Sequence, residues 1–169
     1  MQAIYEIPEE KFRALTQTWP PASGNSAVLE EGVQNQTEFV LEKYLEDFIV
    51  SNFDTIFKGK LRLYSDPSEG VPGRQFETGV GTIDILAQET LSNAFLVIEL
   101  KKGRESDKVV GQVLRYMGWV AENLCQQGQV VKGMIICKEQ DPRLSYALRM
   151  AKNVVVKYYR VDFKLQDNF

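Results

Sequence analysis

Histidine is absent from all 169 residues. That excludes Ser-His-Asp and Cys-His nucleophilic catalysis, His-ligated metal hydrolase sites and any mechanism that titrates an imidazole. Acid–base or metal chemistry must fall to carboxylates, lysine, tyrosine, arginine and the backbone. Cysteine is scarce as well: Cys125 and Cys137 are too few for a disulfide framework, and no CxxC spacing points to zinc. A reduced, cytoplasmic setting is the simplest expectation. No apolar run approaches the roughly 20 residues of a membrane helix, and the opening Met1-Gln2-Ala3-Ile4-Tyr5-Glu6 lacks the basic start of a signal peptide. Nucleotide fingerprints are missing too. Gly79-Val80-Gly81 has neither the third glycine nor the following helix of a dinucleotide loop, and no GxxxxGK(S/T) occurs.

What is present suits one compact domain with a real core: 44% of residues are hydrophobic and 25% charged. The formal net charge of −3 hides an uneven distribution. Residues 1–57 hold three basic residues (Lys11, Arg13, Lys43) against ten acidic ones, net −7. Residues 58–169 hold the other 17 basic residues against 13 acidic, net +4. Only the second part is able to attract a polyanion.

Residues 1–35 read as an appendage and linker, since Trp19-Pro20-Pro21-Ala22-Ser23-Gly24-Asn25-Ser26 is breaker chemistry. The domain proper spans residues 36–169. Leu41, Tyr44, Leu45, Phe48 and Ile49 fall at helical spacing behind Asn35 or Thr37 as N-cap. A strand is expected from Ile56 to Tyr64, then a turn-rich loop through Gly73. Val80 to Ala87 and Ala94 to Lys101 read as an antiparallel hairpin. Asp107 to Leu124 returns to helical periodicity, Val130 to Cys137 is a strand, Asp141-Pro142 opens a helix to about Ala151, and Val154 to Leu165 closes as a strand. This order predicts an α/β fold, a mixed sheet flanked by helices.

Three ionisable residues stand out. Strand alternation puts Thr82, Asp84 and Leu86 on one face, and Asp84 is a lone carboxylate in an otherwise buried strand. Glu99 and Lys101, two residues apart, share a face that a hairpin brings beside Asp84. Buried charges are costly unless paired or metal-bound. A structural salt bridge is one explanation; a reaction centre is the other.

Asp84 followed by Glu99-Leu100-Lys101 resembles the D…ExK signature of the PD-(D/E)xK, or restriction-endonuclease-like, nucleases. Gln112-Val113-Leu114-Arg115-Tyr116 resembles the QxxxY element in the C-terminal nuclease domain of NucS-type endonucleases. Glu42 fits that family's first-motif glutamate, although Glu38, Glu42 and Glu46 also form an i, i+4 acidic stripe that suits a solvated face. The resemblance covers about residues 37–160.

The resemblance implies a restriction-endonuclease-like core and a Mg²⁺- or Mn²⁺-dependent endonuclease that hydrolyses DNA phosphodiester bonds, in a repair or defence setting. In it, Asp84, Glu99 and the backbone carbonyl of Leu100 ligate the metal, and Lys101 positions or helps deprotonate the attacking water. Glu42 sits in the metal's water shell. Gln112 and Tyr116 line the site and orient Lys101 or the scissile phosphate, while Lys102, Arg104, Lys108 and Arg115 contact phosphates. Mg²⁺ keeps several waters and needs only one or two carboxylates, so the missing histidine is expected. The implied partner is DNA, double-stranded or branched. A homodimer suits a double-strand cut, and a targeting partner protein suits a chain in which linker-like residues 1–35 precede the nuclease, where NucS-type enzymes carry a DNA-binding and dimerisation domain. A catalytically silent nucleic-acid-binding module on the same fold is the alternative from another class.

Overall fold

Residues 44–66, 70–101 and 106–160 are described by the computed structural model. The chain divides into two compact units, Met1–Leu45 and Glu46–Phe169. Of the first, only Tyr44 and Leu45 are among the described residues, so the appendage and linker expected at 1–35 and the domain start at 36 lie outside them.

Helix α1 runs through residues 44–51 and buries Glu46 and Ile49. Asn52 interrupts it: its backbone N–H and its side-chain amide both donate to the Phe48 carbonyl, at 3.1 and 2.9 Å. A second short helix, α2 (Phe53–Phe57), follows and ends at Lys58, which takes a left-handed φ of 53°. The strand expected from Ile56 is thereby shortened to β1, Leu61–Leu63. Ile56 and Phe57 favour strands by composition, but the Ile56 N–H donates to the Asn52 carbonyl at 2.9 Å and the Phe57 ring packs at a tilt on Phe53, four residues back. Local bonding and packing override β-propensity here.

The remaining elements are β2 (Arg74–Thr78), β3 (Gly81–Glu89), β4 (Phe95–Leu100), α3 (Ser106–Asn123), β5 (Val131–Cys137), α4 (Pro142–Met150) and β6 (Val154–Tyr158). They form a six-stranded mixed sheet in the order β1-β3-β4-β5-β6, with β2 also paired to β3. Nine-residue β3 carries two partners on one edge: β1 pairs with its Ala87–Glu89 end and β2 with its Gly81–Ile85 end. Antiparallel β4 covers its other edge. Strands β5 and β6 run parallel to β4, and parallel neighbours need crossovers, which α3 and α4 supply.

The fold class is as expected from the sequence, with one strand more. Strand β2 escaped the periodicity because Phe76 is the only apolar residue in Arg74-Gln75-Phe76-Glu77-Thr78. The hairpin, α3, β5 and α4 fall within a few residues of the expected bounds, and the expected extension of β6 to Leu165 passes beyond the described residues.

The core lies between the sheet and α3. Val110, Val113, Tyr116 and Val120 line one face of α3 and are buried against Ile83, Leu86, Val97 and Ile135. Fully burying such a valine stabilises by about 1.5–3 kcal/mol. Close approach requires a small residue beneath the helix: a Cβ on Gly133 would lie 2.6 Å from Val113 Cγ1 and 2.8 Å from Met117 Sδ. All six residues of β4 are buried, so Glu99 enters an apolar strand as its one charge. The carboxyl ends of parallel β4 and β5 and the start of α4 meet at one rim of the sheet. Such rims are where open α/β sheets bind ligands.

Candidate active site

The β3–β4 ladder ends at the pair Ile85–Ile98. One step further, Asp84 and Glu99 stand opposite each other, both buried, at 4% and 3% exposure. Here the strands part. The Asp84 carboxylate takes the place of a ladder bond, its Oδ2 accepting from Leu100 N–H at 2.8 Å. Glu99 Oε1 accepts from the Gln112 side-chain amide at 2.6 Å, and the same amide reaches Tyr116 Oη at 3.4 Å.

Lys101 leaves the end of β4 with its N–H bonded to the Ile136 carbonyl of β5 at 2.9 Å, so β5 fixes its backbone. Its ammonium lies 3.7 Å from Asp141 Oδ2. Asp141 is also the N-cap of α4, its Oδ1 accepting from Arg143 N–H at 2.8 Å. Cys137, at the end of β5, feels the same two charges. Burial pushes its thiol pKa up and Asp141 adds to the rise, while Lys101 pulls it down. It is 1% exposed, a packed residue.

Tyr116 is buried on α3 with its hydroxyl against the β2–β3 turn. A Cβ on Gly81 would come 2.7 Å from that hydroxyl, and Gly81 has a φ of 128° that side-chain-bearing residues rarely adopt. Arg115 lies over the Tyr116 ring, 5.3 Å from its centroid. Trp119 packs on Phe76, with ring centroids 6.2 Å apart.

A third acid joins from α1. Glu46 is buried and accepts from Arg74 Nε at 2.7 Å and from the Gln75 side-chain amide at 2.6 Å. Arg74 also pairs with Asp47, and these acids, Glu46 foremost, raise the guanidinium's pKa. The Gln75 amide reaches Asp84 Oδ1 at 3.4 Å. Hydrogen bonds thus run from α1 through β2 and β3 to β4, and a second set joins β4 to α3.

The structure therefore brings Asp84, Glu99, Leu100, Lys101, Gln112 and Tyr116 to one rim. Gln112 bonds Glu99, not Lys101. Lys108 and Arg115 are exposed on α3, while Glu42, Lys102 and Arg104 lie outside the described residues. Among the described residues no three His, Cys, Asp or Glu side chains form a metal-holding group. Asp84 and Glu99 alone are two hard oxygen donors, a set that suits Mg²⁺ with its retained waters and does not suit zinc or copper.

A family model described as the endonuclease NucS C-terminal domain matches residues 41–166. The chain belongs to this family, a branch of the PD-(D/E)xK nucleases. No curated protein matches it. Among solved structures, the NucS-family fold is similar to a chain of the EndoMS–dsDNA2 complex, with a TM-score of 0.50 and 17% identity over 69% of this chain and 44% of that one. It is likewise similar to the crystal structure of a repair endonuclease from Pyrococcus abyssi, with a TM-score of 0.52 and 16% identity over 68% of this chain and 45% of that one. At these identities the likeness is one of fold, and this chain matches less than half the length of either structure.

Three residues of this NucS-family domain that bond to or lie against the candidate site residues escaped sequence reasoning. Glu46 comes four residues after the favoured Glu42, and the i, i+4 spacing in the sequence does not say which acid turns inward. Gln75 lies on the unrecognised strand β2. Asp141 was legible as the start of a helix before Pro142, but its second oxygen's neighbour, Lys101, is 40 residues away in sequence.

Proposed function

We propose that the domain is a Mg²⁺- or Mn²⁺-dependent endodeoxyribonuclease. The observation that carries this reading is the juxtaposition of Asp84 and Glu99 one step past the end of the β3–β4 ladder, both buried and held by Leu100 N–H and the Gln112 amide, with Lys101 following where β4 ends. Asp84 and Glu99 would hold the cation, with the Leu100 carbonyl as a further ligand. A cation there supplies Lewis-acid polarisation of a phosphate oxygen and a more acidic water.

The protein's own groups do the rest. Gln112 fixes Glu99, and Leu100 N–H fixes Asp84, so neither carboxylate has to reorganise when phosphate arrives. Lys101 presents its ammonium to the attacking water and to the charge that grows on the phosphoryl oxygens. In the hydrolysis, the water oxygen bonds to phosphorus and the P–O3′ bond breaks, giving 5′-phosphate and 3′-hydroxyl ends. Exposed Lys108 and Arg115, with Lys102 and Arg104, would contact backbone phosphates, so binding weakens with salt. A DNA-repair role agrees with the repair endonuclease and the double-stranded-DNA complex that share the fold.

The test is cleavage of supercoiled plasmid and of single-stranded, mismatched, flapped and branched DNA with Mg²⁺, Mn²⁺ or EDTA. Asp84→Asn, Glu99→Gln and Lys101→Ala are expected to abolish metal-dependent cutting with the fold retained. Asparagine at 84 keeps an acceptor for Leu100 N–H and so avoids leaving that donor unsatisfied, a cost of about 1–3 kcal/mol. Metal-dependent binding without cutting by the wild type would favour the silent binding module; cutting by all three variants would refute the site.

A further inference from the structure

The β2–β3 ladder contains a defect beside the site. The register runs from Arg74–Ile85 to Phe76–Ile83 and skips the position between them, where Gln75 faces Asp84. Gln75 has a φ of 47°, left-handed backbone in the middle of a strand. Glycine, asparagine and aspartate occupy that region at low cost; glutamine does not. Strain of this kind is retained where the surrounding structure over-determines it, and it clusters at functional sites.

The defect changes where the side chain goes. Here the Gln75 amide donates to Glu46 Oε2 at 2.6 Å and lies 3.4 Å from Asp84 Oδ1. Glu46 is itself anchored by Arg74 at 2.7 Å, and Asp84 Oδ2 by Leu100 N–H at 2.8 Å. One amide group thus ties α1, through a buried acid, to the strand that carries Asp84. A carboxylate accepting at both oxygens from fixed donors has a defined plane, and partners of this kind orient metal ligands.

We propose that Gln75 is a positioning residue: its left-handed backbone aims the side-chain amide at Glu46 and Asp84, and thereby sets the orientation in which Asp84 meets a divalent cation. The inference rests on the metal-dependent nuclease reading above and adds to it a residue outside the D…ExK and QxxxY motifs. It predicts that stability and function part company at this position. Gln75→Gly removes the amide and also relieves the backbone, so its Tm is expected to equal or exceed that of the wild type. Gln75→Glu keeps the size and loses the donor.

The experiment measures three quantities on the full chain of wild type, Gln75→Gly and Gln75→Glu: Tm, Mn²⁺ affinity by calorimetry without DNA, and kcat and KM for cleavage. Both variants are expected to bind Mn²⁺ and to turn over about tenfold less well, at the lower end of the range for residues that support a metal ligand, with KM for DNA unchanged. Wild-type Mn²⁺ affinity and kcat in Gln75→Gly would overturn the inference and leave the nuclease reading intact. So would wild-type behaviour in Gln75→Glu, since a carboxylate cannot donate. A Gln75→Gly protein whose Tm falls together with its activity would overturn it too, by making the residue a structural brace. Wild-type protein that neither binds Mn²⁺ nor cuts would overturn the nuclease reading itself and the inference with it.

Discussion

Asp141 joins a helix cap to the ammonium of Lys101, the lysine of the proposed active site, and its two oxygens are separable by substitution. Oδ1 caps α4 through Arg143 N–H at 2.8 Å, and Oδ2 lies 3.7 Å from Lys101 Nζ. Asp141→Ala removes both contacts. An N-cap contributes about 1 kcal/mol. The ion pair is long but its side chains are only 10% and 22% exposed, which places it at about 0.5–1 kcal/mol, the upper part of the range for surface pairs. Alanine is therefore expected to cost about 1.5–2 kcal/mol in all. For a domain of this size that lowers Tm by about 5–7 °C. Asparagine caps as well as aspartate, so Asp141→Asn loses only the charge and is expected to melt about 2–4 °C below wild type. Calorimetric melting of the three proteins reads this division directly. Activity reads it differently: both variants release Lys101, so kcat is expected to fall by about tenfold in each, whatever the Tm. An Asp141→Asn protein that melts as low as Asp141→Ala would refute the division of labour between the oxygens. Wild-type kcat in Asp141→Asn would show that Lys101 needs no hold from α4.

Two further outcomes follow from the geometry. Gly81→Ala puts a Cβ 2.7 Å from Tyr116 Oη on a backbone with φ 128°, so it is expected to destabilise by about 2 kcal/mol and, by moving Tyr116, to lower cleavage; equal Tm in a thermal melt would refute the close packing. Glu89 has a depressed pKa, first through its hydrogen bond from Lys132 at 2.7 Å and then through Ser92. A carboxyl lowered in the folded state contributes stability that is fully present above its unfolded pKa and lost as pH falls through its folded value. Lys132→Met is therefore expected to lower stability at neutral pH and to flatten the loss on acidification in urea melts between neutral pH and the carboxylate range. A parallel shift at every pH would exclude the linkage.

The sequence by itself determined the chemistry on offer and most of the elements. The absence of histidine left carboxylates and lysine as the candidate reactive groups, and the D…ExK and QxxxY spacings, on a hairpin and a helix read from period-2 and period-3.6 patterns, put Asp84, Glu99, Lys101, Gln112 and Tyr116 forward as one candidate site, within which Gln112 bonds Glu99. These are signals carried by neighbours in the chain: alternation within a strand, or one helical turn between Gln112 and Tyr116. Only the tertiary structure decided which outside residues complete the set. Strand β2 has a single apolar residue and is a strand because β3 offers it an edge, so Gln75 could be set against Asp84 only by register. Glu46 turns inward because Arg74 and Gln75 meet it there, and the spacing of Glu38, Glu42 and Glu46 in the sequence holds no record of those partners. Asp141 reaches Lys101 because β5 runs parallel to β4 and delivers the start of α4 to the same rim. Local periodicity is written in the chain; the company each charged group keeps is set by how the strands are ordered in the sheet.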